Sequence, residues 1–366
     1  MLFHSSLRKE LARSFGATLV VLVTIVMTMT LIRTLSQASR GSVNPQEVMM
    51  VMGYTVLGYL PPILTLSLFI AIVGTLSRMY RDSEMAIWFS AGRGLSAFLK
   101  PLFGFAWPVL LVIALLALVV WPWANQQTQD LKDRYGSRGD LERVAPGQFQ
   151  ESSNGTRVFF LDKDTPDNKS GKNIFISTLE RGKETVTSAR SGRVVTEGDR
   201  QFLLLSNGQR MESSLKDRQL KVSEFEELGN RVGTVPLGSS DTTPVKTRST
   251  FALLMDPSRA NQAELAWRLG LALAAFNFVV IAVTVSSVNP RAGRSGNLVF
   301  ALFAFIVYFN LLNIGQSWVG GGRVGFVGFV LALHGGVLLA ALLWLAKQHN
   351  NWPLWPRRPL TRRSAP

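Results

Sequence analysis

The sequence has no cysteine in its 366 residues and only three histidines. That rules out disulfides, thiolate nucleophiles and cysteine-held zinc. His4, His334 and His349 are also too far apart in the chain to suggest a metal motif. No cofactor is expected. Acidic residues are scarce outside one region. Residues 124–266 hold 21 Lys/Arg and 20 Asp/Glu, whereas the rest of the chain has 18 basic residues and four acidic ones, Glu10, Glu47, Asp82 and Glu84. The net charge of +15 therefore sits at the borders of apolar segments. Basic loops of a membrane protein produce that distribution, so no nucleic-acid partner is expected despite the charge. A nucleotide signature is missing as well. Gly182-Lys183 runs into Glu184, and residue 177 is Ser where a P-loop needs Gly.

Long apolar runs are abundant. Six of them, at about 15–35, 51–76, 102–123, 267–287, 298–318 and 324–346, are long enough to cross ~30 Å of hydrocarbon as helices. Pro61-Pro62 in the second predicts a kinked or tilted helix. Trp121, Trp123, Trp318 and Trp344 stand at or near span ends, where aromatic belts fall. The first span has a basic start and a Ser36-Gln37-Ala38 triplet, as a signal peptide would. Its apolar core is longer than a signal core and five more spans follow, so it is expected to be retained. Short loops on one side carry 14 basic residues, and those on the other carry Arg33, Arg40 and Arg323. This asymmetry puts both termini in the cytoplasm and the long 124–266 segment outside it.

Within that segment, Asn125–Tyr135 reads as a polar helix. Strand-like runs recur at 157–161, 173–177, 192–196 and 201–206 between turn signals Asn154-Gly155, Glu197-Gly198-Asp199 and Asn207-Gly208. Short strands at regular spacing suggest a sandwich or jelly roll. Leu253–Leu265 reads as a short helical connector to span four. The expected fold is thus a polytopic α-helical membrane protein of six transmembrane helices with an inserted all-β, jelly-roll-like domain. Residues 1–123 form the first membrane half, 124–266 the β domain and 267–366 the second half.

Several residue groups carry chemical information. Asp82 and Glu84 lie together after span two, followed by a short apolar stretch bearing Trp88, Phe89, Leu95 and Phe98. Asp82 or Ser83 is expected to cap a helix there, with Glu84 in its first turn. Such a helix, about 82–99, suits either a docking element for a soluble subunit or a helix lying on lipid headgroups. Arg33, where span one leaves the membrane, either snorkels or faces a phosphate. Asn310 and Asn313 in span five and Asn277 in span four are amides in apolar surroundings. They should face protein or a wet cavity. The Gly321-Gly-Arg-Val-Gly325 stretch reads as a turn.

The stretch from Leu60 through Arg78-Met-Tyr-Arg-Asp-Ser-Glu84 to Ala91-Gly92 resembles the LptF/LptG permease family of the lipopolysaccharide exporter, with the closer likeness to its LptF branch. The order of three spans, β domain and three spans, the Asn289-Pro290 turn and the basic N-terminus are similar over essentially the whole chain. The resemblance implies a non-catalytic permease subunit of the bacterial inner membrane with a periplasmic β domain. It implies four kinds of partner besides membrane lipids: an LptG-like paralogous permease, an LptB-like ATPase dimer, an LptC-like single-span jelly-roll protein and lipopolysaccharide. It also implies that Asp82, Glu84 and Trp88 couple to the ATPase and that Arg33 lies near the substrate's phosphorylated sugars. Some members carry a second basic residue one turn before Arg33, where this chain has Thr30. From residues alone, a different reading also stands, that of a membrane-anchored scaffold whose β domain binds a periplasmic partner without transport. A membrane enzyme is disfavoured because no cluster of acid, base and nucleophile lies near the outer surface.

Overall fold

The computed structural model describes residues 2–40, 42–92, 94–136, 147, 149–151, 157–160, 162, 170–180, 183–197, 200–214, 219–234, 244–286 and 293–350. Among these, six helical stretches are long and apolar enough to cross a membrane: Ser6–Ser39, Pro45–Arg81, Leu95–Tyr135, Arg259–Ser286, Gly296–Gly320 and Phe326–Gln348. In chain order the helices are α1 (Leu2–Ser39), α2 (Val48–Arg81), α3 (Glu84–Ser90), α4 (Leu99–Leu115) and α5 (Trp121–Gly136), then α6 (Thr250–Met255), α7 (Arg259–Ser286), α8 (Gly293–Gly320), α9 (Phe326–Val330) and α10 (Gly336–Asn350). π-helical turns at Leu116–Val120 and Leu331–Gly335 join α4 to α5 and α9 to α10. Pro61-Pro62 lies inside α2, whose helix continues through the pair. Thr65 Oγ1 donates to the Pro61 carbonyl at 2.8 Å there. The Gly321–Gly325 stretch is a turn, as expected, and Gly322 takes the left-handed φ of 71° that suits glycine.

The chain forms two compact units, residues 1–25, 58–122 and 249–366 in one and residues 26–57 and 123–248 in the other. The first has α7 at its centre. Of the most apolar stretch of α7, 72 % is buried, against 22 % for that of α8 and 17 % for that of the last span. Phe278, Val279, Ala282 and Val283 of α7 pack with Phe69, Ile72 and Val73 of α2, Leu102 and Ala106 of α4, and Leu7 and Leu11 of α1. No water drives helices together inside a bilayer, so shape and internal hydrogen bonds must do so. α6 begins where Ser249 Oγ accepts the Ala252 N–H at 3.2 Å, a side-chain cap for one orphan donor.

In the second unit, Ala38, Val43, Val48, Val51 and Leu131 form a small core beside Tyr54, whose ring meets Trp123 edge-on at 5.4 Å. The β insert is one six-stranded antiparallel sheet in the order β1-β2-β3-β4-β5-β6. Its strands are β1 (Phe149–Glu151), β2 (Arg157–Phe160), β3 (Ser170–Glu180), β4 (Lys183–Glu197), β5 (Arg200–Ser214) and β6 (Leu220–Thr234). Glu197 at the end of β4 pairs with Arg200 at the start of β5. Residues 198–199 themselves lie outside the described residues, as do the Asn154-Gly155 turn, the Asn289-Pro290 turn and the basic tail beyond Asn350.

Asn207-Gly208, expected as a hairpin turn, lies inside β5 instead. Gly208 pairs with Ala189 on one side and Phe225 on the other. Asn207 has a left-handed φ of 53°, and Asn173 in β3 one of 48°. Asparagine tolerates that conformation better than most residues, so a turn dipeptide can bend a strand without ending it. The ladder skips a row there, with Asn173 opposite Arg190, Arg190 opposite Asn207 and Asn207 opposite Glu226. The buried face shifts by one residue across the row. Ile174 and Ile176 are buried on one side of it, and Leu203 and Leu205 on the other. A groove of about 1090 Å³ runs along this line, with Phe149, Phe160 and Phe175 among its lining residues. The rings of Phe149 and Phe160 are 4.7 Å apart.

Candidate functional site

After α2 the chain turns sharply. The Asp82 N–H bonds back to the Arg78 carbonyl at 2.9 Å, and Ser83 adopts a φ of 60°. α3 then starts at Glu84. The expected side-chain cap is not made, because Ser83 precedes the helix without a cap bond. Asp82 pairs with Arg78 at 3.1 Å and Arg81 at 3.2 Å instead. Hydrogen bonding to Arg81 and then Arg78 holds the Asp82 carboxyl below the usual carboxylate range. Glu84 Oε1 lies 2.6 Å from Arg78 Nη1. Arg78 also holds Glu10 of α1 through Nε and through Nη2, the latter 2.6 Å from Oε2.

α3 is shorter than the expected 82–99. It ends at Ser90, two residues before Gly92, whose φ is 76°, and Leu95–Phe98 forms a separate 3₁₀ turn leading into α4. The cause is local. Glycines at 92 and 94 favour non-helical backbone, which uncouples the two segments. The apolar surface is correspondingly smaller. Leu95 and Phe98 are buried in the core, Met85 is anchored there, and Trp88 is half-buried against it. Ile87 and Phe89 remain 68 % and 40 % exposed.

Arg33 is exposed on α1, whereas Thr30 is buried. The half-buried Lys132 of α5 is close enough to Arg33 to feel its charge. The three asparagines do not form one cluster. Asn310 is exposed, and its amide bonds the Ile306 carbonyl of its own helix at 2.8 Å. Asn313 accepts from Trp267 Nε1 at 3.2 Å. Asn277 is buried and donates to Tyr308 Oη at 2.8 Å and to the His334 carbonyl at 2.9 Å. Tyr308 Oη in turn lies 2.8 Å from His334 Nδ1. The His334 side chain of span six thus finds its partner in span five.

A second buried network lies on α7. Glu264 and Arg268 are both sealed from solvent and joined at 3.0 Å. Glu264 also accepts from Trp121 Nε1 at 3.0 Å and from Gln316 Nε2 at 3.3 Å. Arg268 Nη1 donates to Thr250 Oγ1 at 3.0 Å, and that hydroxyl donates to the Leu118 carbonyl. Leu118 and His334 each sit in a π-helical turn, which widens the helix and presents a carbonyl to a neighbour. Among the described residues, no group of three or more His, Cys, Asp or Glu could hold a metal ion.

Residues 6–348, which span α1 to α10 and the sheet between, match the family model described as "Lipopolysaccharide export system permease LptF/LptG". The chain belongs to that family. It is 26 % identical over 330 residues to the lipopolysaccharide export system permease protein LptF of Escherichia coli K12, covering 88 % of this chain and 89 % of that protein. The LptF proteins of E. coli O157:H7 and Shigella flexneri match to the same extent.

Sequence reading missed the ionic part of this permease's interior. By sequence position Glu264 falls in the polar 124–266 segment and Arg268 at the start of span four. The signal was present, since opposite charges four apart in Ala263-Glu-Leu-Ala-Trp-Arg268 fall on one helical face. Glu10 enters the sequence reading only in the acidic total, and Arg78 only in the basic total and the motif of resemblance, with no pairing between them.

Proposed function

We propose that this chain is a transmembrane permease subunit of an ATP-driven exporter, which extracts lipopolysaccharide from the inner membrane and passes it to a periplasmic β bridge. The family match over nearly the full chain, with six apolar helices and an inserted sheet in the family's order, carries this reading. The physics requires an engine. Each buried CH₂ is worth ~0.8 kcal/mol, so one acyl chain of about a dozen carbons resists leaving the bilayer by roughly 9–10 kcal/mol. The sequence has no P-loop, and hydrolysis belongs to a separate ATPase docked on α3. In this reading Glu84, Asp82 and Trp88 couple to that ATPase, and Arg33 meets the substrate's phosphates. Asn277, Asn310 and Asn313 are candidates for the cavity wall.

The termini and α3 face the cytoplasm and the sheet faces the periplasm, as the basic loops require. An LptG-like permease completes the membrane part, and an LptC-like protein receives the lipid from the sheet. Affinity purification in mild detergent tests this. A soluble ATPase should co-purify with the full chain, and lipopolysaccharide should change its ATP turnover. A chain that purifies with periplasmic partners and no ATPase is a scaffold, which would end the transport reading.

A further inference from the structure

Arg78 holds three carboxylates from three parts of the fold. Nε and Nη2 form a fork on Glu10 of α1. Nη1 reaches Glu84 at 2.6 Å and Asp82 at 3.1 Å, and Nη2 lies 3.4 Å from Glu84 Oε2. A bidentate fork fixes the plane of a guanidinium, so Glu10 sets the direction in which Nη1 points. Exposed ion pairs contribute little stability, and the side chains of Arg78, Glu10 and Glu84 are 32 %, 31 % and 41 % exposed. The shared guanidinium is therefore better explained by geometry than by stability.

α3 needs such a device. It has seven residues, too few to hold a helix axis alone. It is bounded by left-handed backbone at Ser83 and Gly92, and Met85 and Trp88 anchor only its inner side. Arg78 supplies the tie at its first residue. The local charges also leave Glu84 available to a partner. Glu10, Asp82 and Glu84 face Arg78 and Arg81, so one negative charge is left over. An incoming cation can engage Glu84 while Glu10 keeps Arg78 neutralised.

We propose that Arg78 and Glu10 are positioning residues that tie α3 to α1, so that movement of α3 by a docked ATPase passes directly to the helix that carries Arg33. This rests on the reading above, in which α3 receives an ATPase. The chain lacks cysteine, so Glu10→Cys with Arg78→Cys gives the only two thiols in this subunit. The test compares Arg78→Gln, Glu10→Gln and the double-cysteine chain, bridged by a short reducible thiol-specific spacer, within the purified membrane complex. Bound ATPase and lipopolysaccharide released per ATP are measured. Both glutamine variants should retain the ATPase while release per ATP falls at least fivefold. The spacer should restore the ratio, and its reduction should remove it again.

An unchanged ratio in both glutamine variants would overturn the relay. So would a deficit that the spacer fails to repair, or variants that simply lose the ATPase. If the unaltered chain binds no ATPase, the underlying transport reading fails, an outcome distinct from failure of the relay alone.

Discussion

Arg268 is completely shielded from solvent, and Glu264 nearly so, in the first half of an apolar helix. A pair like this need not stabilise the fold relative to an apolar pair, but removing one member strands a charge at a cost of about 3–5 kcal/mol. Arg268→Met is therefore expected to lower thermal stability in detergent sharply, by an amount in that range. Glu264→Gln with Arg268→Met should recover part of the loss, because no lone charge remains. A double-mutant cycle with no coupling would show that the two side chains act independently. Arg33 follows different logic. It is exposed, so Arg33→Glu should leave stability within about 0.5 kcal/mol and reduce photocrosslinking of lipopolysaccharide to the end of α1 severalfold. Unchanged crosslinking would mean that Arg33 only snorkels.

The elements show where sequence patterns carry information and where they do not. All six spans were legible because an apolar run of ~20 residues has few alternatives to a membrane helix. The length of α3 was not, because apolar residues at 88, 89, 95 and 98 fit one long helix until glycines 92 and 94 are given their backbone cost. Asn207-Gly208 failed for a similar reason, since a dipeptide that favours left-handed backbone serves a bent strand as well as a turn. In the proposed reading, where α3 receives an ATPase, its exposed apolar side chains Ile87 and Phe89 form the docking surface. Burying each side chain on a partner is worth about 1.5–3 kcal/mol, and 1.4 kcal/mol is tenfold in affinity. Ile87→Ser with Phe89→Ser should weaken ATPase retention at least tenfold with normal membrane insertion, and Glu84→Arg should do the same. Leu95→Ser should instead destabilise the subunit, because Leu95 is buried in the core. Retention unaffected by the first two changes would return α3 to a helix lying on headgroups.

At the scale of the whole molecule, span order, loop charge and the β insert were readable because each is a property of long segments. The polar contacts that join α7 to its neighbours were not, since they depend on which helices meet. Only 6 % of the most apolar stretch of span one is buried within the subunit, which leaves its apolar surface for lipid or for a second permease. The proposed orientation is checked in this cysteine-free chain by single thiols. Ser188→Cys should react with a membrane-impermeant label in intact spheroplasts, and Ser364→Cys only after permeabilisation. The reverse pattern would place the sheet in the cytoplasm and separate it from any periplasmic bridge.

In the proposed function, removal of lipid from a bilayer is the step that everything else serves. In proteoliposomes carrying this chain with its co-purified ATPase and permease partners, lipopolysaccharide should pass to a soluble β-jelly-roll acceptor only when ATP is hydrolysed. Transfer should fall to background when Glu84→Arg uncouples the engine. Equal transfer without ATP, or ATP turnover that moves no lipid to any acceptor, would contradict the account.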